Sequence, residues 1–342
     1  CEMCIRDRAR APLAGATANP ERKAAFSMYV RTGDTAPLAR VEGKAASVGV
    51  GADGGFVATP EIEQLIERRL AVLSPMRSIA SVRTFGGTSF KKPISKGGAE
   101  VGWAAETAAR EQSDTPTLDL VEFPSGEHSA LPAATQMLLD DAFVNIEEWL
   151  VGEVEDSFAA QESAAFVAGN GTNKPKGFTA YTNAAEGSQT WGQIGYLSTG
   201  AAGGFAETAP ADKLIDLIFA PKAQYRANGR FVMNRRTLAA VRKLKDGDGA
   251  YIWQPAQAAG QDYSLLGYPV TELEDMPEIA ANAFAIGFGD FARGYLIAER
   301  AGVTVLRDPY SAKPYVLFYV TKRVGGGVQD FDAIKLLKFA AS

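Results

Sequence analysis

The sequence has one histidine, two cysteines and no excess of positive charge. A single imidazole, His128, removes the commonest general base unless that residue itself serves, and no serine stands in a GxSxG elbow. Two thiols and one imidazole fall short of the roughly four ligands a structural zinc takes. Cys1 and Cys4 form a lone CxxC and read as two thiols on an N-terminal arm. A net charge of −5 is the opposite of the basic face that grips nucleic acid through its phosphates. No apolar run approaches the ~20 residues needed to span a bilayer. No basic-then-apolar signal segment opens the chain.

Several ligand loops begin and are not completed. Gly49, Gly51 and Gly54 satisfy GxGxxG, but the extended run Phe56, Val57, Ala58 follows where a dinucleotide site needs a helix. Residues 169–174 (GNGTNK) hint at a phosphate loop, but Pro175 stands where Ser or Thr is required. Residues 246–249 (DGDG) start like a calcium loop and lack its spaced ligands and terminal Glu. Glu153, Glu155 and Asp156 read as the solvated face of a helix. The sequence therefore predicts no catalytic residue, no cofactor, no metal and no membrane partner.

What is present is an ordinary globular balance, 46% hydrophobic and 22% charged, in a chain long enough for a substantial core. Residues 1–55 are rich in Ala, Gly, Arg and Pro and read as an arm. A helix is expected from Pro60, capped by Thr59, with Ile62, Leu65, Ile66, Leu70 and Leu73 on one face. Residues 88–93 and 117–123 read as extended and flank a polar middle that cannot build its own core. That pattern predicts a long hairpin packed on something else. The strongest helical signal covers residues 145–168, where Ile146, Trp149, Leu150, Val154, Phe158 and Ala165 recur at helical spacing and Gly169 is the stop. Further on, residues 214–227 read as a helix with Leu214, Ile215, Ile218 and Phe219 apolar. Residues 231–234 read as a strand and 235–245 as a second helix. The last third, from Tyr268, is mostly strands, among them 295–298, 303–306, 316–320 and 334–339.

Four blocks carry a family likeness. Residues 138–178 (LLDDAFVNIEEWLVGEVEDSFAAQESAAFVAGNGTNKPKGF) resemble the long helix and exit turn of tailed-bacteriophage major capsid proteins of the Hong Kong 97 fold, the GNGTNKPKGF turn being the most specific piece. Residues 265–277 (LLGYPVTELEDMP), 288–310 (FGDFARGYLIAERAGVTVLRDPY) and 322–339 (KRVGGGVQDFDAIKLLKF) follow in the family's order.

The resemblance implies an α+β fold in named parts. These are an N-terminal arm at residues 1–55, an extended loop (E-loop) at 83–132, and a peripheral domain made of 56–82, 133–210 and 301–342. The peripheral domain would contain the spine helix 145–168, and an axial α/β domain would cover 211–300. It implies a structural role: self-assembly into pentamers and hexamers of an icosahedral shell around double-stranded DNA. The partners would be further copies of the chain, a portal and other head proteins, in a virion assembled in the bacterial cytoplasm. A gene transfer agent, which carries host DNA, or an encapsulin-like nanocompartment would use the same fold. Assembly contacts are expected from Lys91, Lys92, Lys96, Trp103, Glu106 and Arg110 on the E-loop, and from Tyr251 and Trp253 beside the axial tip. The family's namesake joins an E-loop lysine to a neighbour's asparagine. No Asn follows Asn282 here, so no covalent cross-link is expected. The family often loses an N-terminal scaffolding segment by cleavage, which would suit a chain that opens on Cys1.

Overall fold

A computed structural model describes residues 20–37, 40, 56–57, 74–86, 90–95, 118–137, 146–207, 209–245, 250–253, 264–300 and 303–341. In chain order the elements are α1 (Pro20–Thr32), β1 (Phe56–Val57), α2 (Pro75–Ile79), β2 (Ser81–Phe85), β3 (Phe90–Ser95), β4 (Leu118–Phe123), β5 (Ser125–Ala130), β6 (Ala133–Thr135) and α3 (Ile146–Ala168). Then come β7 (Asn183–Ala185), β8 (Ile194–Ser198), α4 (Asp212–Phe219), α5 (Ala223–Arg226), β9 (Arg230–Met233), α6 (Arg235–Arg242), β10 (Ser264–Leu265) and β11 (Tyr268–Glu272). The chain closes with β12 (Phe284–Gly289), α7 (Phe291–Gly294), β13 (Tyr295–Arg300), β14 (Thr304–Asp308), β15 (Tyr315–Val328) and β16 (Ile334–Lys338). The expected helix at residues 60–73 and the GxGxxG loop lie outside the described residues. The chain forms two compact units. One contains residues 1–69, 129–155 and 302–321, and the other 70–128, 156–301 and 322–342.

In the first unit, β14 pairs antiparallel with β15 from Thr304↔Thr321 to Asp308↔Leu317, and β6 lies along the start of β15 from Tyr315↔Thr135 to Leu317↔Ala133. The segment read as an arm contains a helix, α1, which its composition did not predict. α1 buries Ala25, Phe26, Tyr29 and Val30 at spacings of one, three and four, which is one helical face. Composition hid it, since Arg and Ala runs look like arm, while the two aromatics that dock it are only two residues in thirteen. Arg307 closes its C-terminal end. The guanidinium donates to the Val30 carbonyl at 3.1 Å, to the Arg31 carbonyl at 3.3 Å and to Gln136 Oε1 at 3.1 Å, while the Arg307 amide donates to Tyr29 Oη at 3.1 Å. A cation on the last carbonyls is favoured by their partial negative charge. Gly33 follows with φ +79°, a left-handed stop in which a side chain would be strained.

The second unit is built on a seven-stranded mixed sheet in the order β10-β11-β9-β12-β16-β8-β7. Strand alternation sends neighbours to opposite faces. Phe231, Met233, Ile286, Phe288 and Leu337 join a core with Leu214, Leu217 and Leu238 from α4 and α6. Val232, Ile334 and Leu336 point the other way, into a core with Phe166 and Val167 of α3, Phe178 and Tyr295. The helix expected over 214–227 is two helices, because Pro221 cannot continue the first. Its buried face is Leu214, Leu217 and Ile218, whereas the apolar Ile215 and Phe219 are exposed. α6 starts on Asn234, whose side chain accepts from the Arg236 amide at 2.8 Å.

The expected long helix is present as α3. Val154, Phe158, Glu162 and Phe166 form a buried row at intervals of four. The side chains of Ile146, Trp149 and Leu150 lie outside the described residues. The turn after α3 explains its specific sequence. Asn170 and Lys176 form an antiparallel bridge, and the Gly177 amide donates to the Gly169 carbonyl at 2.9 Å. A Cβ on Gly177 would sit 2.3 Å from the backbone of Val167, so the helix end and the returning chain touch without room for a side chain. Phe178 then drops into the core.

Replacing Arg307 with Met should free α1 from the first unit. Hydrogen bonds from a charged donor contribute about 1.5–3 kcal/mol each. Hydrogen exchange should show amides in Pro20–Thr32 losing protection while β9 and β12 keep theirs. Unchanged protection of α1 would contradict the anchoring role.

Candidate functional site

The hairpin expected at residues 83–132 is present at its base. β3 and β4 pair antiparallel from Phe90↔Phe123 to Ser95↔Leu118, and residues 96–117 beyond them lie outside the described residues, with Lys96, Trp103, Glu106 and Arg110 among them. Lys91 faces Glu122 across the ladder at 3.4 Å, with both side chains about half exposed, a geometry that contributes little. Lys92 donates instead to Gln329 Oε1 at 2.8 Å, tying the stem to the chain just after β15. Phe123 is buried and fixes the other strand.

An open groove of about 800 Å³ runs beside this stem, with Arg83, Lys92, Trp191, Arg293, Asp330 and Phe331 in its walls. The Trp191 and Phe331 rings meet edge to face at 5.6 Å. Tyr225 donates to Asp330 at 2.7 Å, and Lys222 pairs with Asp332 at 3.0 Å. Burial, and then the bond to Asp330, push the Tyr225 hydroxyl up to about 12, so it stays a donor at any physiological pH.

Behind the stem lies a feature that the sequence reading missed. Arg77 of α2, Glu162 of α3, Glu299 of β13 and Lys322 of β15 form a buried ion quartet. Arg77 reaches Glu162 Oε2 at 2.7 Å and Glu299 Oε2 at 2.9 Å, and Lys322 reaches the same Glu299 oxygen at 3.0 Å. No side chain among the four is more than 5% exposed. Two cations and two anions sum to zero, which is how four charges can be kept from water. Burial opposes the charge on Arg77, but Glu162 and Glu299 hold it above its ordinary value. Burial likewise opposes the Glu299 carboxylate, yet Lys322 and Arg77 outweigh it and hold the group below the usual carboxylate range. The available signal was Glu162, a charge that falls on the α3 apolar row between Phe158 and Phe166.

His128, weighed above only as a general base, projects from β5 toward this quartet. Its ring meets Phe158 edge-on at 4.2 Å. Burial pushes its proton affinity down; Glu162 pulls it up, and Lys322 and Arg77 push it further down. Among the described residues, no group of three or more His, Cys, Asp and Glu side chains could hold a metal. No helix among them is long and apolar enough to cross a membrane.

The two aromatics expected together at the axial tip separate. Trp253 is 8% exposed, packs in the core with Leu265 and Val270, and donates its indole N–H to the Ser264 carbonyl at 2.6 Å. It packs in the core of its own unit, where the expectation was a ring facing a neighbour, and its indole N–H is satisfied there. Tyr251 is 54% exposed, with Lys245 Nζ 5.2 Å from its ring centre. Residues 246–249 and 254–263 lie outside the described residues.

The Phage capsid family profile matches residues 54–339. The chain is similar to the capsid of an empty GTA (gene transfer agent) particle, computed with fivefold symmetry, at 47% identity over 88% of this chain and 98% of that one, with a TM-score of 0.73. The capsid of a native GTA particle matches at 48% identity with the same coverage and TM-score. A chain from Gordonia phage Cozz, 16% identical, matches over 79% of this chain and 87% of that one with a TM-score of 0.53, a likeness of fold. A comparison with curated proteins gives no match.

Removing one member of the quartet leaves an uncompensated buried charge, which costs about 3–5 kcal/mol. Arg77→Met should show that loss in denaturant unfolding at neutral pH. The sign with pH follows from Glu299. Its folded value is depressed, so its contribution is full above the ordinary carboxylate value of 4.5 and is lost as pH falls through the folded value. A Glu299→Gln variant should be less stable at neutral pH and should lose less on acidification than the parent. Parallel stability-against-pH curves would refute this.

Proposed function

The chain belongs to the phage capsid family, and on that premise we propose how its parts divide the work of building a shell. It is a major capsid protein, a structural subunit whose copies assemble into the shell of a virion-like particle. In our reading the shell is icosahedral, its capsomers are pentamers and hexamers, and heterologous contacts that close by rotation make those rings. The particle encloses double-stranded DNA, receives a portal and other head proteins, and forms in the bacterial cytoplasm. The chain has no catalytic duty. A net charge of −5 suits an inner wall that holds packaged DNA without gripping it.

We assign the parts as the resemblance implies: arm 1–55, E-loop 83–132, peripheral domain 56–82, 133–210 and 301–342, axial domain 211–300. The E-loop, with Lys91, Lys96, Trp103, Glu106 and Arg110, crosses a neighbour, and Lys92 anchors its base. Tyr251 meets a neighbour at the capsomer axis, whereas Trp253 holds its own domain together. The observation that carries the reading is identity of nearly one half to a gene transfer agent capsid over most of both chains. That same identity favours a gene transfer agent over a phage as the particle.

Purified particles viewed by electron microscopy should be closed shells. Nuclease-protected DNA of mixed host sequence would support the agent, and one discrete genome the phage. Boiled particles should run as a single band at the mass of one chain on a denaturing gel, as a shell without covalent cross-links would; a ladder would show cross-linking. Tyr251→Ala should leave subunit stability within about 0.5 kcal/mol, as for an exposed residue, while lowering the yield of closed shells. A large fall in melting temperature would assign the ring to the domain core instead.

A further inference from the structure

His128 combines three features that its neighbours do not share. It is the only histidine in the chain, both ring nitrogens are buried, and neither has a hydrogen-bond partner among the described residues. A buried polar atom without a partner destabilises the fold, so seating the ring here has an energetic cost. The neutral ring behaves here as a half-polar wedge: its edge packs on Phe158, one turn before Glu162 on α3. The charged groups facing it are Glu162 from α3, Arg77 from α2 and Lys322 from β15, with Glu299 of β13 bonded to both cations. On the outer face of the same strand, Glu127 pairs with Arg323 at 3.5 Å.

The quartet is already neutral, so a proton on His128 adds a fifth, uncompensated charge. Glu162 could receive it through Oε1, which has no hydrogen-bond partner among the described residues, but its other oxygen is held by Arg77, and two cations stand beside it. The charged ring is therefore more stable in water than in place. Its strand is the lever. β5 follows β4, the return strand of the hairpin stem, after Pro124 alone, and its inward residues alternate with the outward Glu127 and Ser129.

We infer that His128 is an acid-operated latch: neutral, it seats β5 against α3; protonated, it leaves the interior and loosens β5 together with the hairpin stem. The shell subunit thus carries a one-proton coupling between the acidity around it and the order of the hairpin that reaches its neighbour. The sign is fixed by linkage. The seated form excludes a proton that the released form accepts, so acidification below the ordinary value of 6.5 favours release, by up to tenfold per pH unit for one proton.

Hydrogen exchange of the full chain, corrected for the intrinsic effect of pH, tests this at about pH 7.5 and about pH 5, where Glu299 remains ionised. Protection across residues 118–130 should fall about tenfold or more at the lower pH, with a midpoint below 6.5, while β9, β12 and β16 hold. His128→Phe, which keeps an aromatic wedge without a titrating group, should abolish the fall; His128→Gln is the second variant should Phe overfill the site. Equal protection of the parent at both pH values, a midpoint at or above 6.5, or the same fall in a folded variant would overturn the latch. Whether shells form is read separately by microscopy of the parent, so failure of the latch and failure of the capsid reading remain distinct.

Discussion

Four charges almost wholly withdrawn from water tie four elements of the second unit to one another. Arg77, Glu162, Glu299 and Lys322 come from four different elements, and each satisfies the others only if all four elements are in register. Apolar packing tolerates small slips, since dispersion has no direction. An ion pair in a low-dielectric interior does not, because a shift that breaks one contact leaves a buried charge exposed to nothing. The quartet therefore fixes how α2 and α3 lie on β13 and β15, and through β2 it fixes where the hairpin stem leaves the body. The aromatic core around Phe166, Phe178 and Tyr295 supplies bulk burial beside it.

The legible and illegible parts of this fold divide by physical cause. α3 could be read because its apolar residues repeat over 23 positions and Gly169 ends them. Parts of β13, β15 and β16 could be read from short apolar runs such as Tyr295–Ala298, Val316–Val320 and Ile334–Leu337. The hairpin stem was legible from its flanks, where a polar middle separates two short extended runs. α1 was missed because its docking face is two aromatics within an Ala- and Arg-rich stretch. β7 and β8 were missed because strands of three and five residues, set among Gly, Ser and Thr, have too few periods to register. Pro221 was a visible break that was read through.

The site divides the same way. A lysine or glutamate in a sequence is ordinarily a solvated group, so nothing in Arg77, Glu299 or Lys322 taken singly says that it is inside. Only three-dimensional proximity turns four surface-type residues into an interior. Tyr251 and Trp253 are alike in composition and two residues apart, yet one is core and one is surface. Trp253 packs with Leu265 and Val270 and gives its indole N–H to the Ser264 carbonyl, whereas Tyr251 stays half exposed beside Lys245.

The hold of Arg307 on α1 joins residues 278 and 277 positions apart in the chain. A ribosome adds about 5–20 residues per second, so the helix waits roughly 15–55 s after its own synthesis before its anchor exists. During that interval Phe26, Tyr29 and Val30, buried in the finished unit, lack the hold that Arg307 gives their helix. A nascent capsid subunit thus carries an adhesive N-terminal segment until Arg307 is made. Expression of chains truncated before β14 would leave that segment permanently adhesive, whatever the rest of the chain had achieved.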